Sequence, residues 1–319
     1  MLIADDAEMI GSVSGGCLEA DVREVALSVI QTGAPRLLRY DTGTDYQLPF
    51  SLGLGCSGSV EIFVQPAMAP ELLESASDAT RLLHGDESFA VCTVIGGPRA
   101  LGRAVVITTN GQLVGSTGEI GLDRHIAACA TELFDSGSSQ RHHVGAHEIF
   151  FDLLNPPPSL VILGAGADTR PLARCAADVG FRVTIVDHRP AFLSTANFPP
   201  EIRLVEARAD AEIAELSFGA RTYAVVKTHS LEHDTKWVGQ LLATDVPYIG
   251  VLGPRARTDE ILRELHHEND MRVFGPVGLD LGAEGPEQIA VSIVAELLAQ
   301  VSARHPMHLR QKEAAIHGE

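Results

Sequence analysis

The chain has 319 residues, 45% of them hydrophobic and 21% charged, with a formal net charge of −18. That length accommodates about two domains, and no apolar run reaches the roughly 18 residues that a membrane helix requires. With no lysine-rich or arginine-rich run, so negative a field repels phosphate backbones, which argues against nucleic acid as a partner. Five scattered cysteines, an odd number, read as reduced thiols of a cytoplasmic protein rather than a disulfide framework. The opening "MLIADDAEMIG" carries acids instead of a basic segment, which argues against a signal peptide and against stable membrane insertion.

The first 150 residues hold a repeat. Sliding the chain by 104 positions lays "MLIADDAEMIGSVSGGCLEADVREVALSVIQTG" on "VVITTNGQLVGSTGEIGLDRHIAACATELFDSG" without a gap. Identities are few: Ile3/Ile107, Gly11/Gly115, Ser12/Ser116, Leu18/Leu122, Ala26/Ala130 and Gly33/Gly137. The apolar stripe is the stronger match. Leu18, Val22, Val25, Ala26, Val29 and Ile30 have helical spacing, as do Leu122, Ile126, Cys129, Ala130, Leu133 and Phe134. Each helix stops at a glycine suited to a left-handed cap. A strand, a turn and a helix thus occur twice, predicting a pseudo-symmetric α/β unit over 1–154. The second copy is preceded by "SFAVCTVIGGPRALGRA", a further strand and loop, whereas the first begins at Met1. We therefore expect this chain to lack one strand and its loop.

Three consecutive prolines in "NPPPS" (155–159) cannot sit in a helix or a central strand, and they mark a stiff connector. After it, "SLVILGAGADTRPLARCAADVGFRVTIVDHRP" reads as strand, glycine turn, helix and strand. Further strands are expected in "IRLVEA", "YAVVKTH", "PYIGVLG" and "MRVFG", with helices over 231–243 and 255–267 and a closing helix in "GPEQIAVSIVAELLAQV". Continuous apolar strands alternating with helices predict a Rossmann-like parallel sheet covered on both faces, over 159–303, followed by a polar tail over 304–319. In a dinucleotide-type turn Gly164 would shape the bend and Gly166 would let a phosphate approach the backbone. Asp187, 21 residues beyond Gly166, stands where an acid would bind ribose hydroxyls. Position 169, however, is threonine where the pattern has a third glycine, and Asp168 would repel a phosphate unless a cation intervenes. NAD(P), another phosphate ligand, or none, all remain compatible with this turn.

Cys92, Cys129 and Cys175 lie in apolar patterns and read as small buried residues. Cys17 and Cys56 differ, since both sit in glycine-rich turns, "GSVSGGC" and "GLGCSGSVEIF". A thiol opening a helix has its pKa lowered by unpaired N–H groups, and two such loops can converge on one ligand; equally, glycine turns can simply accommodate a cysteine. His229 in "HSLEHD" follows the strand "YAVVK" at its carboxyl end, where open α/β sheets bind ligands. "RHH" at 141–143 and "HH" at 266–267 read as surface residues.

The blocks "GSVSGGCLEADV", "GLGCSGSVEIFVQP", "GAGADTRPLARCAADVGFRVTIVDHRP" and "GPVGLDLGAEGPEQIAVSIVAELLA", in that order, resemble the XdhC/CoxI family. The family usually reads "GLGCGG" where this chain has "GLGCSG". The resemblance implies a non-enzymatic maturation factor that binds the molybdenum cofactor (molybdopterin), protects it during sulfuration and delivers it to an apo molybdenum hydroxylase such as xanthine dehydrogenase. It also implies a cysteine desulfurase as second partner and a homodimer. It places Gly11, Ser12, Ser14, Gly15, Gly16 and Cys17 in one cofactor loop and Gly55, Cys56 and Gly58 in a second, with Cys17 and Cys56 as soft ligands to the metal. Gly164, Gly166, Asp168, Arg170 and Asp187 fall on its Rossmann block, Asp280 on its "GLD" segment, and His229 is expected to face the same cleft. The alternative reading is an NAD(P)-dependent oxidoreductase that uses the Rossmann domain.

Overall fold

The structure is a computed structural model that describes residues 1–14, 16, 18–41, 59–68, 70–211, 216 and 218–313. The chain divides into two compact units, Met1–Pro156 and Pro157–Glu319, so the division falls inside the proline run. Among the described residues no helix is long and apolar enough to cross a membrane.

In the amino unit the elements are β1 (Leu2–Ile3), β2 (Met9–Ile10), α1 (Glu19–Thr32), β3 (Arg36–Asp41), β4 (Ser59–Val64), α2 (Pro70–Leu83), β5 (Phe89–Gly96), β6 (Ala104–Thr108), β7 (Leu113–Val114), α3 (Ile120–Ala128), α4 (Ala130–Ser136), β8 (Gln140–Val144) and β9 (His147–Leu154). Five of the strands form one antiparallel sheet in the order β7-β6-β5-β9-β8, and β1–β2 and β3–β4 form separate pairs. Strand alternation gives the sheet one inner face. In β9, Ile149 and Phe151 are fully buried while Phe150 between them is exposed. They pack with Ala90, Cys92 and Val94 of β5 against Leu122, Ile126 and Leu133 of the helices.

The repeat is visible as geometry. β1 pairs β2 through Leu2↔Ile10 and Ile3↔Met9, and β6 pairs β7 through Val106↔Val114 and Ile107↔Leu113. Every partner is displaced by the same 104 positions. Gly11 and Gly115 both adopt left-handed backbone (φ 82° and 87°), and Gly33 and Gly137 cap the helices at φ 68° and 64°. The second copy departs where its helix is interrupted at Cys129. There the N–H is shared between the carbonyls of His125 (3.0 Å) and Ile126 (3.2 Å), which loosens one turn without ending the ladder.

The carboxy unit comprises β10 (Ser159–Leu163), α5 (Thr169–Asp178), β11 (Arg182–Asp187), β12 (Arg203–Glu206), β13 (Thr222–Val226), α6 (Leu231–Leu242), β14 (Tyr248–Val251), α7 (Arg255–Leu265), β15 (Val273–Phe274) and α8 (Pro286–Val301). Its six strands are all parallel, in the order β12-β11-β10-β13-β14-β15. This is the Rossmann order, and the strand sequence reverses between β10 and β13. Apolar clusters cover both faces: α5 and α8 pack on one, α6 and α7 on the other. The fold class is therefore the expected one, a mixed α/β chain whose carboxy unit is a Rossmann domain. At the switch between β10 and β13 the turns leave a crevice, with Lys227, Arg257, Asp187 and Arg189 among its lining residues.

Candidate functional site

The crevice is built from the turns after β10 and β13. Gly164 makes the first turn at φ 122°, and a Cβ there would lie 2.6 Å from the Lys227 carbonyl oxygen, so only glycine allows the two turns to touch. Lys227 is the first residue past β13 and is buried, with 3% of its surface exposed. Its Nζ donates to Asp168 Oδ2 at 2.8 Å and to Thr169 Oγ1 at 2.9 Å. Thr169 Oγ1 in turn donates to the Gly164 carbonyl at 2.8 Å. The residue that breaks the glycine pattern thus ties the loop to the buried ammonium. Lys227 is also the cation that offsets the charge of Asp168 in the turn.

Burial opposes ionisation of Asp168, but the hydrogen bond and charge of Lys227 outweigh it and hold the carboxyl below the ordinary range. For Lys227 burial dominates and lowers the ammonium from its usual value, with Asp168 opposing. His229 Nε2 stands 3.6 Å from Asp168 Oδ2, and its backbone is left-handed at φ 63°. The turn that imposes this conformation is latched by Asp234, which is wholly buried. Asp234 Oδ1 accepts from the Thr228 N–H (3.0 Å) and hydroxyl (2.5 Å), and Oδ2 accepts from Arg257 Nε (3.0 Å) and Nη2 (2.6 Å).

Two cavities meet at His229. The larger, about 850 Å³, is floored by Lys227 and His229 and walled by Leu252–Pro254, Arg257 and the Pro276–Ala283 loop, with Asp280 among its lining residues. That loop is pinned to α8: the Gly278 N–H donates to Glu296 at 2.9 Å, and Ser292 Oγ donates to the Leu279 carbonyl at 2.5 Å. The smaller cavity, about 190 Å³, is lined by Gly164, Asp187–Arg189 and Thr228–Ser230, among others. Here the acid expected to meet ribose hydroxyls is already engaged. Asp187 Oδ2 accepts from the Ala165 N–H at 2.7 Å and from Arg189 Nη2 at 2.8 Å, while Oδ1 accepts from Arg189 N and Nε, both at 2.9 Å. Burial resists its charge, yet these donors prevail and its carboxyl titrates at about 2.

Of the residues singled out in the sequence, Gly164, Gly166, Asp168, Asp187 and His229 gather at the crevice, and Asp280 faces it across the larger cavity. Arg170 is exposed and donates to Asn197. Gly11, Ser12, Ser14 and Gly16 belong to the amino unit, where their loop wraps the chain's own Glu19. That carboxylate accepts from Ser12 Oγ (2.6 Å), Ser14 N (2.8 Å), Ser14 Oγ (2.8 Å) and Gly16 N (2.9 Å). The hydroxyl of Ser12 and the N–H of Ser14 hold the Glu19 carboxyl well below the usual range. Donors expected to meet a cofactor anion are thus directed at a side chain of the following helix. Gly15, Cys17, Gly55, Cys56 and Gly58 lie outside the described residues.

Sequence reasoning missed Lys227, Asp234 and Arg257. A lysine directly after five strand residues, at the end where ligands bind, was the available signal for the first. The other two meet across 23 residues, a pairing that spacing does not announce.

The XdhC Rossmann domain matches residues 160–297, and the XdhC and CoxI family matches 1–41 and 82–145. The chain belongs to the XdhC and CoxI family. It is 32% identical over 301 residues to a probable xanthine dehydrogenase subunit of Bacillus subtilis, covering 93% of this chain and 86% of that protein. It is 22% identical to the molybdenum cofactor insertion chaperone PaoD of Escherichia coli, over 93% of this chain and 76% of that one. Among solved structures, a xanthine dehydrogenase from Bacillus halodurans aligns with a TM-score of 0.75 at 25% identity, covering 95% of this chain and 86% of that one. The XdhC-matched stretches contain the whole crevice and both copies of the repeat.

Proposed function

We propose that this chain is a molybdenum cofactor chaperone that holds the cofactor during maturation of a molybdenum hydroxylase. The observation that carries this reading is the cavity of about 850 Å³ at the strand switch point, floored by a buried ammonium and an imidazole. The chemistry fits the group. A pyranopterin bears a phosphate, which Lys227 and His229 can meet, and its dithiolene-bound metal is a soft centre that thiolates suit. The names of the similar proteins, a xanthine dehydrogenase subunit and a cofactor insertion chaperone, support the same reading.

Lys227 can exchange its Asp168 partner for a ligand phosphate, and Arg257 keeps the Thr228–Ser230 turn in place while it does so. Among the described residues around the crevice, the acids are held by cations or N–H groups rather than poised to move protons, which suits a carrier. A nicotinamide dinucleotide fits poorly. Both carboxylate oxygens of Asp187 are committed to Ala165 and Arg189 rather than open to ribose hydroxyls. Cys17 and Cys56 as cargo thiols, sulfuration by a cysteine desulfurase, and a homodimer belong to the same proposal.

The test is anaerobic titration of purified protein with released molybdenum cofactor and, separately, with NADH. Cofactor binding is expected, weakened about 10- to 100-fold in Lys227→Met, the range for a lost charge-assisted contact. Removing the Lys227 ammonium leaves Asp168 without its counter-charge and destabilises the fold, so His229→Asn, at a side chain that is mostly exposed, is the second variant and should weaken cofactor binding while the protein stays folded. Tight NADH binding with hydride transfer, and no response to the cofactor, would overturn the proposal. Cys17→Ala and Cys56→Ala then read the thiol role through maturation of a partner hydroxylase.

A further inference from the structure

In the second copy of the repeat, three side chains meet that neither the family match nor the crevice accounts for. His125 and Cys129 are four residues apart on consecutive turns and so share one face of the helix. Strand β8 brings in the third. Along β8 the exposed Arg141 and His143 flank a half-buried His142, so alternation turns His142 inward, contrary to its surface reading from sequence. Its ring rests on Phe151, with centroids 4.7 Å apart. Cys129 Sγ then lies 3.3 Å from His125 Nε2 and 3.7 Å from His142 Nδ1. All three candidate ligand atoms fall within 4.8 Å of one another.

We propose that His125, Cys129 and His142 form a binding site for Zn²⁺ with one open coordination position. The distances fit the ion. Zinc bonds of about 2.3 Å to sulfur and about 2.0–2.1 Å to nitrogen, at the tetrahedral angle, separate the two ligand atoms by about 3.6 Å. The observed separations of 3.3 and 3.7 Å bracket that value. A second contact sets the tautomer. His142 Nε2 lies 3.0 Å from Gln140 Oε1, an acceptor, so the ring proton is on Nε2 and the Nδ1 lone pair faces the sulfur. Metal-bound histidines are held in this way, their outer N–H given to an oxygen.

The donor set, one thiolate and two imidazoles, suits a borderline-soft cation and not Mg²⁺ or Ca²⁺. Cys129 is buried at 9% exposure, and both histidines are half-buried, so the cluster lies between the core and the surface. Three protein ligands and an exchangeable fourth is the open arrangement of zinc. Duplication does not explain the cluster. The positions that correspond in the first copy are Asp21, Val25 and Leu38, which cannot ligate as a set. A cysteine kept only for packing would need no imidazole on either side.

The site is independent of the cofactor reading and is tested without it. Full-length Cys17→Ala/Cys56→Ala protein, which lacks the other candidate thiol ligands, is stripped with a chelator and titrated with Co²⁺. A single equivalent should give tetrahedral visible bands and a near-ultraviolet thiolate band, both displaced by Zn²⁺. Cys129→Ser should abolish the thiolate band, His142→Gln and His125→Gln should weaken the visible bands, and Cys175→Ser should change neither. Failure to bind Co²⁺, or a thiolate band that survives Cys129→Ser, overturns the proposal. Should Cys129→Ser fail to fold, X-ray absorption on the zinc-loaded Cys17→Ala/Cys56→Ala protein decides. One sulfur and two imidazoles around the metal support the site, and a coordination sphere without sulfur sinks it.

Discussion

The turn before α1 and the turn before α6 are built alike and used differently. In the amino unit, Ser12, Ser14 and Gly16 close on the carboxylate of Glu19. In the repeat, Ser116 and Thr117 close on Asp123. In the Rossmann unit, the N–H and hydroxyl of Thr228 close on Asp234. Each is a hydroxyl-bearing turn latched by an acid from the first turns of the following helix, which satisfies N–H groups that the helix cannot. The difference is what else the acid touches. Glu19 meets hydroxyls and N–H groups at the surface. Asp234 is fully buried, takes a bidentate Arg257, and latches the turn that directly follows the buried Lys227. The lesson is that the latch is architecture in every copy, and only the buried one carries charge that a cavity can use.

The sharpest way to break this comparison is Asp234→Asn. The amide keeps the shape and can still accept from Thr228, but it leaves the Arg257 guanidinium without its counter-charge in a half-buried position. Breaking such a pair from one side costs about 3–5 kcal/mol. We expect the urea midpoint of the carboxy unit to fall accordingly. A midpoint unchanged within error would show that Asp234 is no different in kind from Glu19.

The strands of the Rossmann unit were legible because parallel strands buried on both faces must be continuously apolar, and "SLVIL" and "YAVV" are. The repeat was legible because its helices share an apolar stripe and its glycines serve as caps that other residues adopt at a cost. The crevice was half legible. Gly164 and His229 follow from the rule that ligands bind at the carboxyl ends of strands. Lys227 and its partners do not, because periodicity states which residues are buried and never which charge meets which. His142 was misread for a related reason: a polar strand at a sheet edge looks like surface until the helix that covers its inner face is known. In the loop around Glu19, the N–H groups that a glycine turn offers to an anion meet a carboxylate of the same chain, a contact that spacing does not announce.

A smaller effect separates the two glycine turns by pH. The Asp187 carboxyl accepts from Ala165 in the crevice turn and titrates at about 2. A carboxyl held that far below the ordinary value of about 3.9 contributes about 2.6 kcal/mol. Because the folded value is depressed, that stabilisation is present above the ordinary carboxyl range and disappears as pH falls toward 2. Unfolding of the carboxy unit, followed through its single Trp237, should therefore lose stability between about pH 5 and pH 2. Asp187→Asn should flatten that dependence. A wild-type profile that is already flat there would mean the Ala165 and Arg189 contacts add nothing.

The smallest effect belongs to Glu19, and it tests the other half of the comparison. Its carboxylate is solvent-exposed, so replacing it with glutamine exchanges protein donors for water with little change in global stability. The neutral amide is a weaker acceptor for N–H groups at a helix start, and it no longer offsets the positive end of the helix dipole. We therefore expect Glu19→Gln to leave the thermal midpoint nearly unmoved while amide exchange speeds up locally, at Ser14 and Gly16 and in the first turn of α1. Exchange in β5 and β6, where the core lies, should stay as in the wild type. If instead Glu19→Gln lowers the midpoint as far as Asp234→Asn, the exposed latch bears as much of the fold as the buried one. The distinction between a turn that caps a helix and a turn that faces a cavity would then fail.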